Sequence, residues 1–283
     1  MKKIRWIALS FLLSYVFITS CTERYDVDLD STFTRLVVDG LVTTDSIKHG
    51  IRLTTSTSYF FNEAPPAVTG AVVHINDDQQ RWQLFEVEND PGYYETKEAF
   101  AGKPGVNYQL EIAMDEAVGG AGSYTAENTM PLNTLQIDSI VLLYRADFDF
   151  YLLNLFANDP PSKDFYKFDA FINGKAITDT ASRSLVVDDK FYNGNNTNGL
   201  GVMFLRSDEV KPGDTITLKV SAIEEDYFNF FQELRTESGG SNPIFSGPAA
   251  NIRSNVKEGA LGYFAATRLT RVSIVVNENT AEN

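Results

Sequence analysis

The chain has 283 residues, 43% of them hydrophobic and 22% charged, the balance of a folded globular protein with room for one large domain or two ordinary ones. Its formal net charge is -14, and so acidic a body repels phosphate backbones, which excludes nucleic-acid binding. One cysteine and two histidines exclude a disulfide framework and most zinc sites.

The chain opens on a basic segment, Met1-Lys2-Lys3-Ile4-Arg5, followed by a nearly unbroken apolar run from Trp6 to Ile18. That run is too short to cross about 30 Å of hydrocarbon, which takes ~20 helical residues. It fits the core of a signal peptide. Ile18-Thr19-Ser20-Cys21 has the lipobox pattern, an aliphatic residue and a small residue ahead of a cysteine. Residues 1–20 are therefore expected to be a lipoprotein signal peptide and Cys21 the lipidation site. Cys21 has no second cysteine to pair with, and two or three acyl chains, at ~0.8 kcal/mol per buried methylene, make a lasting anchor. Thr22, rather than an aspartate, follows the cysteine. By the sorting rule for bacterial lipoproteins this favours the outer membrane, with surface-exposed and periplasm-facing orientations both open. Residues 21–32, rich in acids, read as a tether. No later segment is long and apolar enough to cross a membrane.

Most of the body alternates with period two. Leu36-Val37-Val38 starts a strand, and Val72-Val73-His74-Ile75 runs into the turn cluster Asn76-Asp77-Asp78. Trp82 and Leu84 alternate with Arg81 and Gln83. Tyr59-Phe60-Phe61, ahead of Asn62-Glu63-Ala64-Pro65-Pro66, reads as an aromatic loop. Pro104-Gly105 suits a type II turn before a strand in which Tyr108, Leu110 and Ile112 face inward. Gly119-Gly120-Ala121-Gly122 reads as a hairpin tip, and a boundary is expected near Asn128-Thr129-Met130-Pro131-Leu132-Asn133. Phe148, Phe150 and Tyr151 interleave with Asp147 and Asp149.

Phe168, Ala170 and Ile172 lead into Asn173-Gly174, a hairpin signal. Pro212-Gly213-Asp214 precedes Ile216, Leu218 and Val220, and Val272, Ile274 and Val276 close the chain. Between them lies one amphipathic helix. Glu224-Glu225-Asp226 suits its N-terminus, Tyr227, Phe230, Phe231 and Leu234 form its apolar stripe, and Gly239-Gly240 with Pro243 stops it. The stripe is expected to be core. The pattern predicts a mainly β protein of tandem β-sandwiches. Residues 33–130 form a small N-terminal domain, and 135–278 a larger C-terminal β domain carrying the helix.

Several of these segments together resemble the domain of unknown function 4249 family. In the first half they are Leu36-Val37-Val38-Asp39-Gly40, Val68-Thr69-Gly70-Ala71-Val72-Val73, Pro91-Gly92-Tyr93-Tyr94 and Gly102-Lys103-Pro104-Gly105. In the second they are Val187 to Gly194, Gly213-Asp214, Asn242 to Asn251, Ser254-Asn255-Val256 and Gly259 to Phe264. Where that family usually has Pro-Phe-Ser, this chain has Pro243-Ile244-Phe245-Ser246. The resemblance implies an outer-membrane lipoprotein of Bacteroidota, of a kind often encoded beside TonB-dependent receptors, and it brings no catalytic residues. The first domain also resembles immunoglobulin- or transthyretin-like modules, a likeness of fold alone.

Candidate chemistry is sparse. A serine hydrolase needs a base, usually histidine. His49 sits in a predicted turn and His74 mid-strand, both read as solvated surface residues, and no Gly-x-Ser-x-Gly elbow is present. Asp188, Asp189, Asn193, Asn195 and Asn196 make an oxygen-rich loop that a calcium ion could use. Its spacing is not that of an EF-hand and Lys190 intrudes, so a hairpin with self-bonded Asx side chains is the preferred reading and no metal or other cofactor is expected.

Aromatic loops remain the best contact candidates: Tyr59, Phe60 and Phe61, and the Gly239–Gly247 loop with Asn242, Pro243 and Phe245. The expected function is non-enzymatic: an outer-membrane accessory lipoprotein working with a TonB-dependent receptor. The alternative is a surface lipoprotein that captures a glycan or peptide directly. A convex aromatic patch would favour the first and a concave aromatic site the second.

Overall fold

A computed structural model describes residues 34–57, 64–178, 180–181, 183–238 and 252–277. The first half is built from β1 (Leu36–Thr43), β2 (Gly50–Thr55), β3 (Val72–Asn76), β4 (Arg81–Val87), β5 (Asp90–Thr96), β6 (Asn107–Val118) and β7 (Ala121–Thr129). The second contains β8 (Gln136–Arg145), β9 (Phe150–Asn158), β10 (Phe165–Ile172), β11 (Lys175–Ala176), β12 (Leu185–Asp188), β13 (Leu200–Arg206) and β14 (Thr215–Ile223). The helix α1 (Glu225–Ser238) and the long strand β15 (Leu261–Val275) complete it. The protein is mainly β, with sheets packed as a sandwich-like fold.

Hydrogen bonding runs in the order β11-β10-β14-β15-β1-β2-β5-β4-β3-β6-β7, with β12 also on β10 and a separate sheet β13-β9-β8. Alternation decides which face is buried. Tyr108, Leu110 and Ile112 of β6 point into a first core with Leu36 and Val38 of β1, Ile51 and Leu53 of β2, and Tyr124 of β7. A second core lies between the β13-β9-β8 sheet and the inner faces of β10 and β14, where Leu153, Leu155, Tyr166, Phe168, Leu218 and Val220 meet. The turn signals take their expected geometry. Gly105 and Gly213 have φ of 80 and 90, and Asn173 and Gly174 both have positive φ, as a type I′ hairpin requires.

β15 serves both cores. Residues 261–267 pair in parallel with Val37–Thr43 of β1, and residues 268–275 pair antiparallel with β14. Phe264 and Ala266 thereby enter the first core, together with Val256 and Ala260, while Val272 and Ile274 pack on the second. Residues from beyond the break near Asn133 thus help to fill the N-terminal core.

The other edge of the β1-paired half of β15 faces β7, where asparagine side chains replace a backbone ladder. Asn255 Oδ1 accepts from Phe264 N at 3.0 Å, and its Nδ2 donates to Phe264 O at 2.7 Å and Glu127 O at 2.9 Å. Asn128 Oδ1 accepts from Ala266 N at 2.8 Å. Phe264 and Ala266 are fully buried, so these amides pair backbone groups that water cannot reach.

His49 is a correction. It is not a solvated turn residue but 1% exposed. Its neighbour Ile47 bridges to Phe100, which draws the ring edge-on to Phe100 at 4.3 Å, with Nε2 2.9 Å from Phe100 O. His74 is half-buried at the middle of β3.

Gly262 has φ of 87, and an added Cβ would lie 1.9 Å from Val38 O. Gly262→Ala is expected to lose about 2–4 kcal/mol in denaturant melts; an unchanged midpoint would mean that β1 and β15 separate freely there. Burial lowers the His49 pKa, outweighing the opposing pull of the Phe100 carbonyl and Asp45. The unfolded chain therefore takes up this proton first, so the stability His49 contributes is complete above about pH 6.5 and is lost as pH falls through that value. The decline in Tm on acidification should be shallower in His49→Gln than in the parent; parallel curves would assign the decline to other groups.

Candidate binding site

The helix α1 covers the outer face of β10 and β14, the face opposite the second core. Its acidic first turn complements the helix dipole, and Phe231 packs with Phe165, Val186 and Ile223 in a small third cluster. The rest of the apolar stripe is not fully absorbed. Tyr227, Phe230 and Leu234 stay half-buried and, with Phe231, line a cavity of about 600 Å³ between α1 and the β1–β15 pair. The stripe expected to be core is therefore core at Phe231 and cavity wall at the other three positions.

Opposite α1 lie Val37, Val38 and Asp39 from β1 and Leu261, Gly262 and Tyr263 from β15, with Ile252 alongside. Lys167, Thr178 and Ser184 form a polar end. Tyr263 lies 4.9 Å from the Tyr227 ring and 5.0 Å from Phe230, tilted by 43° and 38°. These rings lean on one another at an angle instead of presenting one flat platform.

The polar end rests on a buried charge cluster. Asp169 Oδ1 accepts from Lys167 Nζ at 2.5 Å and from Ser184 Oγ at 2.8 Å, and Lys219 Nζ lies 3.1 Å from Oδ2. Burial alone would raise the Asp169 carboxyl, but the two ammonium groups hold it below the ordinary carboxylate range. Burial lowers Lys167, partly offset by Asp169. Lys167 also stands over the Phe231 ring at 5.2 Å, which ties the helix to the sheet through a cation–π contact.

Asp39 is different. It opens onto the cavity, and among the described residues no hydrogen bond reaches its carboxylate. Arg52 stands opposite it in the β1–β2 register but directs its guanidinium to Asp90, at 3.0 and 2.6 Å. The Asp39 residue is exposed at the mouth of the cavity, and the protein around it pushes its carboxyl up, with Arg52 partly opposing. The cavity therefore offers apolar walls and one unpaired acceptor at β1, beside a lysine already held by its own partner.

Cys21, Tyr59, Phe60, Phe61, Asn242, Pro243 and Phe245 lie outside the described residues. Of the third aromatic group, Tyr151 is buried and Phe148 is 70% exposed. Phe148 stacks on Phe150 at 5.8 Å, and Phe150 meets the exposed Phe204 edge-on at 5.0 Å. Asp39, Lys167 and Tyr263 were not singled out from the sequence. The available signal was Asp39 itself, an acid interrupting the apolar start of a strand. Among the described residues no helix is long and apolar enough to cross a membrane.

Among the described residues these features define a mainly β protein of two main cores joined by one strand, with one α-helix beside an aromatic cavity. The model of the family described as Domain of unknown function (DUF4249) matches residues 22–272, and the chain belongs to that family. No curated protein matches the chain significantly.

The charge cluster makes a stability prediction. Asp169→Asn leaves Lys167 and Lys219 facing each other without their anion and is expected to cost about 3–5 kcal/mol. Adding Lys167→Met should recover part of that loss. A double variant as unstable as the sum of the two single changes would refute the cluster.

Proposed function

We propose that this protein is a non-enzymatic, lipid-anchored binding protein of the outer membrane, tethered through Cys21, that holds ligand directly in the cavity beside α1. The observation that carries the reading is the concave aromatic cavity in which Tyr227 and Phe230 of α1 face Tyr263 and, beside it on β1, the unpaired carboxylate of Asp39. Such a site suits a ligand with an apolar group and a hydrogen-bond donor or cation nearby. The tilted rings favour a peptide over a glycan, since a sugar stacks best on a flat, open ring face. A non-enzymatic role fits the polar groups present. Lys167 and Ser184 are engaged with Asp169, and His49 with the Phe100 carbonyl.

A second reading, accessory to a TonB-dependent receptor, is favoured by a separate feature. Phe148, Phe150 and Phe204 form an exposed aromatic patch, suited to a protein surface.

Native purification tests both. The full chain, tagged at its C-terminus and extracted in mild detergent, should carry a bound peptide detectable by native mass spectrometry. Asp39→Asn should weaken its rebinding by roughly tenfold or more, since hydrogen bonds to charged groups are worth about 1.5–3 kcal/mol. Recovery with a stoichiometric TonB-dependent receptor, lost on Phe148→Ser/Phe204→Ser and unaffected by Asp39→Asn, would move the function to the patch. The anchor is checked by fatty-acid labelling, which Cys21→Ala should abolish.

A further inference from the structure

Among the described residues, two charged side chains line the cavity beside α1, Asp39 and Lys167. They differ in how far they are already committed. At the polar end, Lys167 Nζ, Thr178 Oγ1 and Ser184 Oγ all donate to Asp169 Oδ1, at 2.5, 3.3 and 2.8 Å. Asp169 is 4% exposed, so these donors are turned onto a buried carboxylate. The Lys167 ammonium also stands over the Phe231 ring.

Asp39 has no such partner. The register of β1 with β2 places Arg52 on one side of it. That guanidinium binds both oxygens of Asp90, at 3.0 and 2.6 Å, and stands over the Tyr93 ring at 5.0 Å. On the other side, the parallel register of β1 with β15 places Tyr263. Neighbouring strands run about 4.8 Å apart, and both side chains line the cavity, so the carboxylate and the phenol ring stand next to each other on one face. Tyr227 and Phe230 reach the same ring from α1. A cation seated on Asp39 is therefore held by the carboxylate and by neighbouring aromatic rings, whose quadrupoles attract positive charge. An anion there meets repulsion from the carboxylate.

We propose that the cavity recognises its ligand through a positively charged group bearing N–H, carried on an apolar body. The charged group donates to Asp39, and the apolar body lies against Tyr227, Phe230 and Leu234. This rests on the reading of the cavity as a binding site and narrows its ligand to a cation. A neutral donor would make a weaker bond and leave the carboxylate charge uncompensated, whereas an ammonium makes a charge-assisted one. In a peptide this chemistry belongs to the free N-terminus or to a basic side chain.

The test is calorimetric titration of the full-length lipoprotein in detergent with three probes that share one ring. They are phenethylammonium, its neutral N-acetyl derivative and phenylpropionate. The ammonium should bind about tenfold or more tightly than the neutral amide, as expected of a hydrogen bond to a charged group, and phenylpropionate should bind most weakly. Asp39→Asn should bring the ammonium close to the neutral amide while leaving the affinity for the amide unchanged, which separates lost charge recognition from a damaged cavity. Phe230→Ser should weaken ammonium and amide alike. Phenylalanine amide and Nα-acetyl-lysine amide then distinguish the two sources: binding by the first assigns the free N-terminus, and by the second a basic side chain. Equal affinity for ammonium and amide would overturn the proposal, as would an ammonium preference that survives Asp39→Asn. In either case amide binding that still depends on Phe230 would leave the cavity standing as a binding site. Tighter binding of phenylpropionate would move recognition to Lys167 and also overturn the proposal. Binding of none of the three probes would refute both the cation and the cavity.

Discussion

The structure depends on one strand being shared. β15 gives its first half to β1 and its second half to β14, so the two cores cannot separate without breaking a continuous ladder. The parallel pairing with β1 joins segments more than two hundred residues apart. The asparagine side chains of Asn128 and Asn255 make this possible. They pair the backbone of Phe264 and Ala266 on the edge that β14 no longer covers. Without them, the middle of β15 would bury unpaired peptide groups, each costing about 1–3 kcal/mol.

That sharing also creates the cavity. Because β15 passes from one core to the other, its β1-paired half is left to form one wall of the cavity, and α1, packed on β10 and β12, faces it through Tyr227 and Phe230. The aromatic stripe of α1 is wider than the face the helix can bury. Phe231 fills the sheet side, and Tyr227 and Phe230 lean toward Tyr263 across the gap. The cluster of Lys167, Asp169 and Lys219 holds the helix over the sheet by charge and by the ring of Phe231. Asp39 stays free because the register places Arg52 opposite it while Asp90 takes the guanidinium.

Local structure was legible wherever alternation and turn chemistry agreed. Tyr108, Leu110 and Ile112 are buried in the predicted strand, Asn173-Gly174 makes the predicted hairpin, and α1 begins at the expected acids. Alternation alone does not say which polar faces stay wet. Lys167 and Asp169 alternate with Phe168 and Ala170 as solvent-facing residues do, yet a helix from later in the chain covers them. His49 sits in a polar segment that is surface in most proteins, and only its bridge to Phe100 buries it. The role of β15 was equally hidden, since a parallel partner leaves no mark on local periodicity. Three dispersed elements meeting at the cavity share no spacing that a single sequence displays.

The acidic loop after β12 shows the same limit from the opposite side. The loop from Asp188 to Asn196 was conspicuous for its oxygens, and read alone it favoured a self-bonded hairpin. The Asx bonds are there, with Asn195 and Asn196 bonded within their own turn, but the hairpin is not: β12 pairs with β10 and β13 with β9, so the loop crosses between two sheets. Asp159 and Asp164 reach Asp189 from another connection. A net charge of -14 makes contact between acids unsurprising on the surface, where water and salt screen it. It does not explain two of these three carboxylates sheltered from solvent while Lys163 and Lys190, their neighbours in sequence, point away. Burial, only partly opposed by Tyr166 and Gly194, raises the Asp159 carboxyl to about 6, so this acid keeps its proton above the ordinary carboxylate range and relieves part of the repulsion.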